Sequence, residues 1–408
     1  MKILIVHEVS YKKKPVYEYQ DFAERLAARG HEVTVIDFDE AGTGDDRAST
    51  LSRTGLAQIR HQPINHLNLP LLNVLHARRS YEKTLETALQ AGSYDVAFVY
   101  SVFVNGASTV RLFKKYGVPV VYRVLDIYHK IRENPLIQYP LLLGEKYIYR
   151  NSDLVLTTNQ KLSDYVKELR KNEDEPEVMI LEHGVDCDHF RPVQKNPELM
   201  SQLGITANDK VLLYLGTTYG FSGLDIILSA LPELRKKFGS VKFMIVGGGE
   251  LDEKLKAMAV ELGQEKNFMH LGMQPYGRLP ELLSAADVVL NPFKINDITR
   301  SIIPIKMLQY LASAKPCISA PINDLMQLIP AEPSGVRYVA IENEASFIAE
   351  IEKLLELSPE ERSALGQKGR AFALEKLSVE KQIEKLEHHL LSLVQKALVV
   401  SREAMRAH

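Results

Sequence analysis

The feature of this sequence that most constrains its fold is a regular alternation of short apolar runs with amphipathic helical segments. This alternation predicts parallel sheets with helices on both faces. In the first half, the predicted strands are 3–9, 33–38, 96–100, 118–124, 154–158 and 178–181. The pattern then begins again, with strands predicted at 211–215, 241–246, 268–271, 288–290 and 317–320 and helices at 224–238 and 251–262. The chain therefore contains two sheets rather than one.

The length of 408 residues agrees with two domains, since one ordinary domain rarely reaches that size. The stretch 191–197 is polar and contains two prolines, which favours a linker. We therefore predict an α/β protein with a first domain at 1–192, a second at 193–377 and a separate C-terminal helix at 378–408. That helix carries an apolar stripe that has to be buried against another surface.

Composition excludes several classes of protein. The net charge of −2 gives no field that would attract nucleic acid, so any anion site must be local. Two distant cysteines predict neither a disulfide framework nor a zinc site, and they favour a reducing compartment. The first ten residues predict a strand rather than a signal peptide, and no apolar run reaches the length of a membrane span. We expect a cytoplasmic protein, either free or at the cytoplasmic face of a membrane.

One part of the first domain interrupts the alternation. Residues 41–80 are polar, then apolar at 69–75, and end with Arg78 and Arg79. Together with Lys12, Lys13 and Lys14 they suggest weak, salt-sensitive contact with an anionic membrane. A solvated charged surface explains the same residues, and both interpretations stay open.

Six short motifs follow one another along the chain. They are Gly30-His31-Glu32-Val33, His183-Gly184-Val185-Asp186 with Phe190-Arg191-Pro192, Tyr214-Leu215-Gly216 with Gly223-Leu224-Asp225, Ile245-Val246-Gly247-Gly248-Gly249, Ala286-Asp287 through Asn291-Pro292, and Pro304-Ile305-Lys306 through Gln309-Tyr310-Leu311-Ala312 with Lys315-Pro316. In this order they resemble the retaining glycosyltransferases of family 4. The resemblance implies the GT-B fold, in which two Rossmann-like domains face each other across a cleft and the last helix crosses back to the first domain.

The sequence departs from the family pattern where the donor diphosphate is expected. Thr217 and Ser222 stand where the family often has Arg and Lys, and Ser301 and Gln309 stand where it has paired glutamates. The first loop lacks the usual glycine pair. The resemblance places His7, Glu8 and Ser10 there instead, and we assign His7 and Ser10 to acceptor binding.

The stretch 297–312 can supply the missing positive charge. Pro304 suits the start of a helix, so Lys306 falls in a first turn where the helix dipole favours an anion. Arg300 precedes that helix, and Gln309 and Tyr310 share a face with Lys306. The predicted donor site is Gly216, Thr217, Gly247, Arg300, Lys306, Gln309 and Tyr310. Surface charges and, for the glycines around Gly247, a structural turn are the alternatives.

Three residues near strand ends are candidates for catalysis. Asp126 follows a predicted strand and could orient the acceptor hydroxyl, or it could cap a helix. Glu8 ends the first strand and could face the acceptor. His129 is a third candidate, for which a structural role is the alternative.

The function implied by the resemblance is transfer of a sugar from a UDP-, GDP- or ADP-sugar to a glycan, lipid-linked or small-molecule acceptor, with retention. We expect no metal, because the letters Asp186-Cys187-Asp188 fall inside the linker motif, and no cofactor besides the nucleotide-sugar co-substrate. A sugar-nucleotide epimerase or phosphorylase, or a non-catalytic scaffold of the same fold, are the rival hypotheses.

Overall fold

The computed structural model describes residues 1–12, 18–38, 49–64, 73–100, 105–131, 134–170, 177–296 and 299–406. The chain folds into two compact units. Unit 1 comprises Met1–His183 together with Gln382–His408, and unit 2 comprises Gly184–Lys381.

The described part of unit 1 contains an eight-stranded sheet. Its strands are β1 (Lys2–His7), β2 (Glu32–Phe38), β3 (Ser49–Leu51), β4 (Ile59–Ile64), β5 (Val96–Tyr100), β6 (Val120–Arg123), β7 (Leu154–Thr157) and β8 (Glu177–Ile180), in the spatial order β3-β4-β2-β1-β5-β6-β7-β8. The helices are α1 (Glu18–Ala28), α2 (Asn73–Ala91), α3 (Gly106–Lys115), α4 (Pro135–Asn151) and α5 (Gln160–Arg170). Every strand pair is parallel except β3 with β4.

Unit 2 contains a six-stranded parallel sheet with the order β11-β10-β9-β12-β13-β14. Before and within this sheet lie α6 (Pro197–Gln202), β9 (Lys210–Leu215), α7 (Leu224–Phe238), β10 (Val241–Val246), α8 (Asp252–Glu261), β11 (Phe268–His270), α9 (Leu279–Ser284), β12 (Val288–Asn291), α10 (Ile305–Ala312) and β13 (Cys317–Ser319). The chain continues through α11 (Asn323–Leu328), α12 (Ala331–Ser334), β14 (Arg337–Tyr338), α13 (Glu344–Glu356) and α14 (Pro359–Phe372) to the last helix, α15 (Val379–Arg406).

The predicted α/β class, with two sheets of Rossmann type, is confirmed. The central strands are buried on both faces, as a parallel sheet between two helical layers requires. Such strands are continuous apolar runs, and this is why the sequence pattern located them to within a few residues.

Part of the segment 41–80 is structured in a way that the sequence pattern did not reveal. It contributes β3, β4 and the start of α2, so the sheet of unit 1 extends beyond β2. In β4, His61 is buried and its Nε2 lies 2.9 Å from Oδ1 of Asp37 on β2, which is equally buried. The strand β4 carries polar residues such as His61 where a central strand is usually apolar, and the apolar pattern therefore did not predict it.

The greater part of α15 belongs to unit 1. Ile383, Leu386 and Leu390 are buried. Beside them, Oε2 of Glu387 accepts a hydrogen bond from Nε of Arg29 at 2.7 Å, and Oε1 lies 2.7 Å from Nε2 of His31. Apolar packing and an ion pair therefore fix this helix on the residues that follow α1. No helix in the described ranges is both long enough and apolar enough to cross a membrane.

We expect Leu386→Ala to lower the free energy of unfolding by about 2–5 kcal/mol, because it removes a fully buried side chain and leaves a cavity. Leu391→Ala on the exposed side of the same helix is the matched control and should change it by roughly 0.5 kcal/mol or less. Urea unfolding followed by circular dichroism measures both. Equal effects of the two substitutions would contradict the packing described for α15.

Candidate functional site

Two glycines meet at the carboxyl ends of β9 and β10 in unit 2. Gly216 has φ +126° and Gly247 has φ +136°, conformations that favour glycine. A Cβ atom on Gly247 would lie 2.0 Å from the carbonyl oxygen of Gly216, so no side chain fits between the two loops. Their own amides are already bonded, to Val246 and Gly272 respectively. The glycines therefore let the two loops approach closely, and their amides are not available to a ligand.

Lys306 lies against this pair of glycines. Its Nζ is 3.2 Å from the position that a Cβ on Gly216 would take. The ammonium group lies over two aromatic rings, 3.8 Å from the centroid of Tyr214 and 4.4 Å from that of Phe293. Among the described residues no carboxylate pairs with it. Burial lowers the pKa of Lys306 well below its ordinary value, because the charged ammonium is penalised where water is excluded.

Tyr310 was predicted to face the donor, and the structure places it elsewhere. Its side chain is fully buried in the core. The hydroxyl accepts a hydrogen bond from the amide of Leu215 at 2.8 Å and donates one to the carbonyl of Leu290 at 3.2 Å. Tyr310 thus joins β9 to β12 beneath Lys306. The i+4 position after Lys306 therefore points into the sheet.

The loop after Gly216 is held by its own polar groups. Thr217 is exposed, and its carbonyl accepts the hydroxyl proton of Tyr214 at 2.7 Å. Ser222, which stands where the family often has Lys, is buried, and its Oγ accepts the amide of Tyr219 at 3.0 Å. Ser222 therefore closes the loop and offers no charge to a ligand.

The other predicted donor residues lie around α10. Gln309 is half-buried one turn after Lys306. Arg300 is exposed in a short 3-10 turn, Thr299–Ser301, and its amide donates to the carbonyl of Asn296 at 3.0 Å. Residues 297–298 of the predicted stretch lie outside the described residues, as does the side chain of Ser301.

In unit 1 the strand register places three polar side chains next to one another. His7 at the end of β1 is paired with Tyr100 on β5, and Tyr100 is paired with Arg123 on β6. His7 packs edge-on against Tyr19 and Tyr100. Burial lowers the pKa of His7 to about 3, although a hydrogen bond with the backbone of Tyr100 acts in the opposite direction and raises it. The imidazole is therefore neutral near pH 7, and within the described ranges its Nδ1 has no hydrogen-bond partner.

An ionised network that the sequence analysis missed adjoins His7. Arg123 is fully buried and donates through Nε to Oε1 of Glu18 at 2.8 Å and through Nη1 to the carbonyl of Leu181. Oε2 of Glu18 lies 2.6 Å from Nδ1 of His183. Burial raises the pKa of Glu18, but the charges of Arg123 and His183 outweigh burial and hold it at about 2. An arginine inside an apolar strand was the signal, since a buried charge requires a partner.

The predicted catalytic residues have structural contacts as well. Oε1 of Glu8 accepts the backbone and side-chain N–H groups of Asn105, at 2.8 and 3.1 Å, at the start of α3. The amide of His129 donates to Oε1 of Glu145 at 2.9 Å, and its Nδ1 lies 3.0 Å from Oε2 of the same residue. Asp126 is exposed.

These contacts leave the assignments as predictions. Glu8 and His129 contribute to the framework of unit 1, and Asp126 is accessible to a ligand. Ser10, assigned with His7 to the acceptor, is buried next to this region. The described residues contain no group of three or more His, Cys, Asp or Glu side chains placed to hold a metal. Oδ1 of Asp186, in the Asp-x-Asp letters, accepts the amides of Asp188 and His189 and so forms a turn.

Two protein families match this chain in succession. Residues 19–189 match Glycosyltransferase Family 4, and residues 195–372 match Glycosyl transferases group 1. The two matches together cover most of the chain and correspond to the two units. The chain therefore belongs to the family 4, group 1 glycosyltransferases.

Individual relatives agree with this assignment. The chain is 26% identical to the D-inositol 3-phosphate glycosyltransferase of Segniliparus rotundus over 236 residues, which is 57% of this chain and 51% of that protein. The match thus spans only half of that relative's length. The chain is also 25% identical to the alpha-monoglucosyldiacylglycerol synthase of Streptococcus pneumoniae, over 67% of this chain and 62% of the synthase.

Solved structures share the fold. Sucrose-phosphate synthase from Thermosynechococcus elongatus superposes with a TM-score of 0.77 at 15% identity, covering 97% of this chain and 99% of that one. HepE of Anabaena in complex with UDP-glucose gives a TM-score of 0.71 at 17% identity, covering 96% and 100%. The fold is thus that of the GT-B glycosyltransferases.

We expect Glu18→Gln to destabilise the protein at neutral pH by about 3–5 kcal/mol, because it leaves the buried guanidinium of Arg123 without its anion. The pKa of Glu18 is depressed from 4.5 to about 2, so its contribution is complete above pH 4.5 and is lost as the pH falls through 2. The difference between the variant and the parent should therefore shrink as urea unfolding is repeated at decreasing pH.

Glu86→Gln is the control for this substitution, because Glu86 pairs with Lys115 at 2.7 Å on the surface and should contribute at most about 1 kcal/mol. A Glu18→Gln effect no larger than that of Glu86→Gln would show that the network does not stabilise unit 1.

Proposed function

We propose that this chain transfers a sugar from a nucleotide-sugar donor to an acceptor that is a glycan, a lipid-linked sugar or a small molecule, with retention of configuration and without a metal. Unit 2 binds the donor and unit 1 binds the acceptor. Family membership supports the reaction class. The structures of HepE with UDP and with UDP-glucose support a nucleotide-sugar donor, because HepE has the same fold. Action in the cytoplasm stays a prediction.

The observation that carries the proposal is the environment of Lys306. Its ammonium group lies over two aromatic faces, contacts the position of Gly216 and has no anionic partner among the described residues. A nucleoside diphosphate brings about two negative charges, and a charged hydrogen bond in such a place is strong. Bound diphosphate would therefore offset the unfavourable free energy of burying the charged ammonium group of Lys306.

The same charge can assist the chemical step. As the bond between the anomeric carbon and the donor phosphate breaks, negative charge grows on the leaving phosphate, and a cation placed there beforehand lowers the barrier. The acceptor oxygen then forms the new bond on the same face, and its proton passes to the leaving phosphate oxygen. This assignment needs no pair of protein carboxylates of the kind that glycosidases use.

On the acceptor side, we assign the neutral His7. Its Nδ1 is unpartnered within the described ranges and can form a hydrogen bond with an acceptor hydroxyl. Asp126, accessible in the same unit, is the second candidate, and Glu8, His129 and Ser10 stay as further predictions. One relative is named as a D-inositol 3-phosphate glycosyltransferase and another as an alpha-monoglucosyldiacylglycerol synthase, which supports a polar or lipid-linked acceptor here.

We expect Lys306→Ala to weaken nucleoside diphosphate binding roughly ten- to a hundredfold, because a charged hydrogen bond is worth about 1.5–3 kcal/mol. The effect on the free nucleoside should be smaller. Gln309→Ala is the control from the same helix, and it should weaken both ligands alike if Gln309 binds the ribose. Titration calorimetry with UDP, GDP, ADP and the nucleosides measures this.

Proton uptake gives an independent check on Lys306. Its pKa is lowered by burial, and a bound diphosphate raises it again, so binding at alkaline pH should draw a proton from the buffer and weaken as the pH rises. Calorimetry in buffers of different ionisation enthalpy detects that proton, and Lys306→Ala should abolish it. Diphosphate binding that is unchanged in Lys306→Ala would refute the donor site and favour a non-catalytic scaffold.

We expect transferase activity to survive EDTA, because Lys306 supplies the positive charge that a cation provides in metal-dependent transferases. The assay follows a radiolabelled donor with and without acceptor, before and after chelation. Activity that is lost in EDTA and restored by manganese or magnesium would contradict the metal-free mechanism. Conversion of the donor without acceptor would instead identify an epimerase.

A further inference from the structure

Helix α4 of unit 1 has an apolar outer face in its first three turns. Leu136 is 84% exposed, Tyr139 is 65% exposed and Leu143 is 48% exposed, and Ile137 beside them is 47% exposed. Leu136, Tyr139 and Leu143 have i, i+3 and i+7 spacing and therefore form one stripe. Single exposed apolar side chains are ordinary, whereas four in three turns form a surface that water hydrates poorly.

The opposite face of α4 holds the helix in place. Ile148 and Tyr149 are buried in the core of unit 1. Glu145 is also buried, and its Oε2 accepts the hydroxyl proton of Tyr165 at 2.5 Å. At the first turn, the side chain of Asn134 accepts the amide of Leu136 at 3.0 Å. The core thus fixes the second half of α4, and a capped first half presents its apolar stripe outward.

Positive charges lie beyond the C-terminal end of this stripe. Lys146 and Arg150 continue it along α4. On the neighbouring α3, Arg111 lies with its guanidinium 5.5 Å from the ring centroid of Tyr147, and Lys114 is exposed. The fifth cation, Lys115, is neutralised by Glu86 of α2.

Few carboxylates oppose these cations. The only one on α3 or α4 is Glu145, which is buried. On the other side of α4, helix α5 carries the four exposed residues Lys161, Asp164, Lys167 and Glu168, two of each sign, and so adds no net charge. An apolar stripe bordered by cations is complementary to an anionic lipid surface, where acyl chains accept the leucines and headgroups accept the ammonium and guanidinium groups.

We propose that α4 is a peripheral membrane-binding helix, which inserts Leu136, Ile137, Tyr139 and Leu143 into the interface of an anionic bilayer. Lys146 and Arg111 contact the lipid headgroups, and the tyrosine takes the interfacial position that suits an aromatic ring with a polar end. This surface differs from the candidate membrane contact at Lys12–Lys14 and 69–79 that the sequence suggested. Of that earlier hypothesis, Lys13, Lys14 and residues 69–72 lie outside the described residues, as do the side chains of 73–78.

The proposal is tested by flotation of the purified protein with vesicles of phosphatidylcholine and phosphatidylglycerol in a two-to-one ratio. The double substitution Leu136→Ser with Leu143→Ser should lower the apparent partition coefficient by about tenfold or more, since two exposed apolar side chains lose their contact with lipid. Lys146→Gln should lower it by roughly fivefold on these vesicles and leave binding to pure phosphatidylcholine unchanged.

The matched control is Val260→Ser with Met273→Ser, two side chains of unit 2 that are 62% and 68% exposed and should not affect binding. Thermal melting should be the same for all variants, because each replaced side chain is at least partly exposed. The proposal is overturned if the parent does not bind anionic vesicles, or if the α4 and control variants bind equally well. It is also overturned if light scattering without lipid shows a dimer that the α4 substitutions dissociate, since the stripe would then be a protein interface.

Discussion

A parallel sheet covered by helices on both faces allows chemistry only where its strands end. In both units the central strands are buried on both sides, so a polar group that meets a ligand must come from the last residue of a strand or from the turn after it. Gly216, Gly247, His7 and Arg123 all occupy such positions. Because the strands are parallel, their ends meet at one side of each sheet, and residues distant in the sequence come together there.

The two units differ in how the cationic side chain near their strand ends is paired. In unit 1, Arg123 is neutralised by Glu18, which also binds His183, so the charges are satisfied within the protein. In unit 2, Lys306 lies beside Gly216 and over two aromatic rings, and the part of the chain that the structure describes provides it no anion. This difference is the physical reason to assign the phosphates of the donor to unit 2 and neutral hydroxyl groups to unit 1.

The proposed membrane contact of α4 would serve delivery of the acceptor rather than chemistry. The second half of α4 is held in the core, and its first three turns are apolar and exposed. Such a helix can attach unit 1 to a lipid surface without crossing the bilayer. A lipid-linked acceptor would then reach unit 1 by diffusion within the membrane. The donor is water-soluble and needs no such attachment, which agrees with its assignment to unit 2.

The sequence by itself determined the two sheets, because continuous apolar runs separated by helical segments have few other ways to be buried. It also singled out Lys306 and the glycines as candidates for a donor site, because their motifs are local in the sequence, and that assignment stays a prediction. The tertiary structure decided which polar side chains have partners within the protein. It placed Tyr310 in the core, made Ser222 a loop closure, and paired Arg123 with Glu18 across 105 residues of chain. Strand register and the packing of α1 create these contacts. Local sequence spacing cannot predict contacts that form between segments distant in the chain.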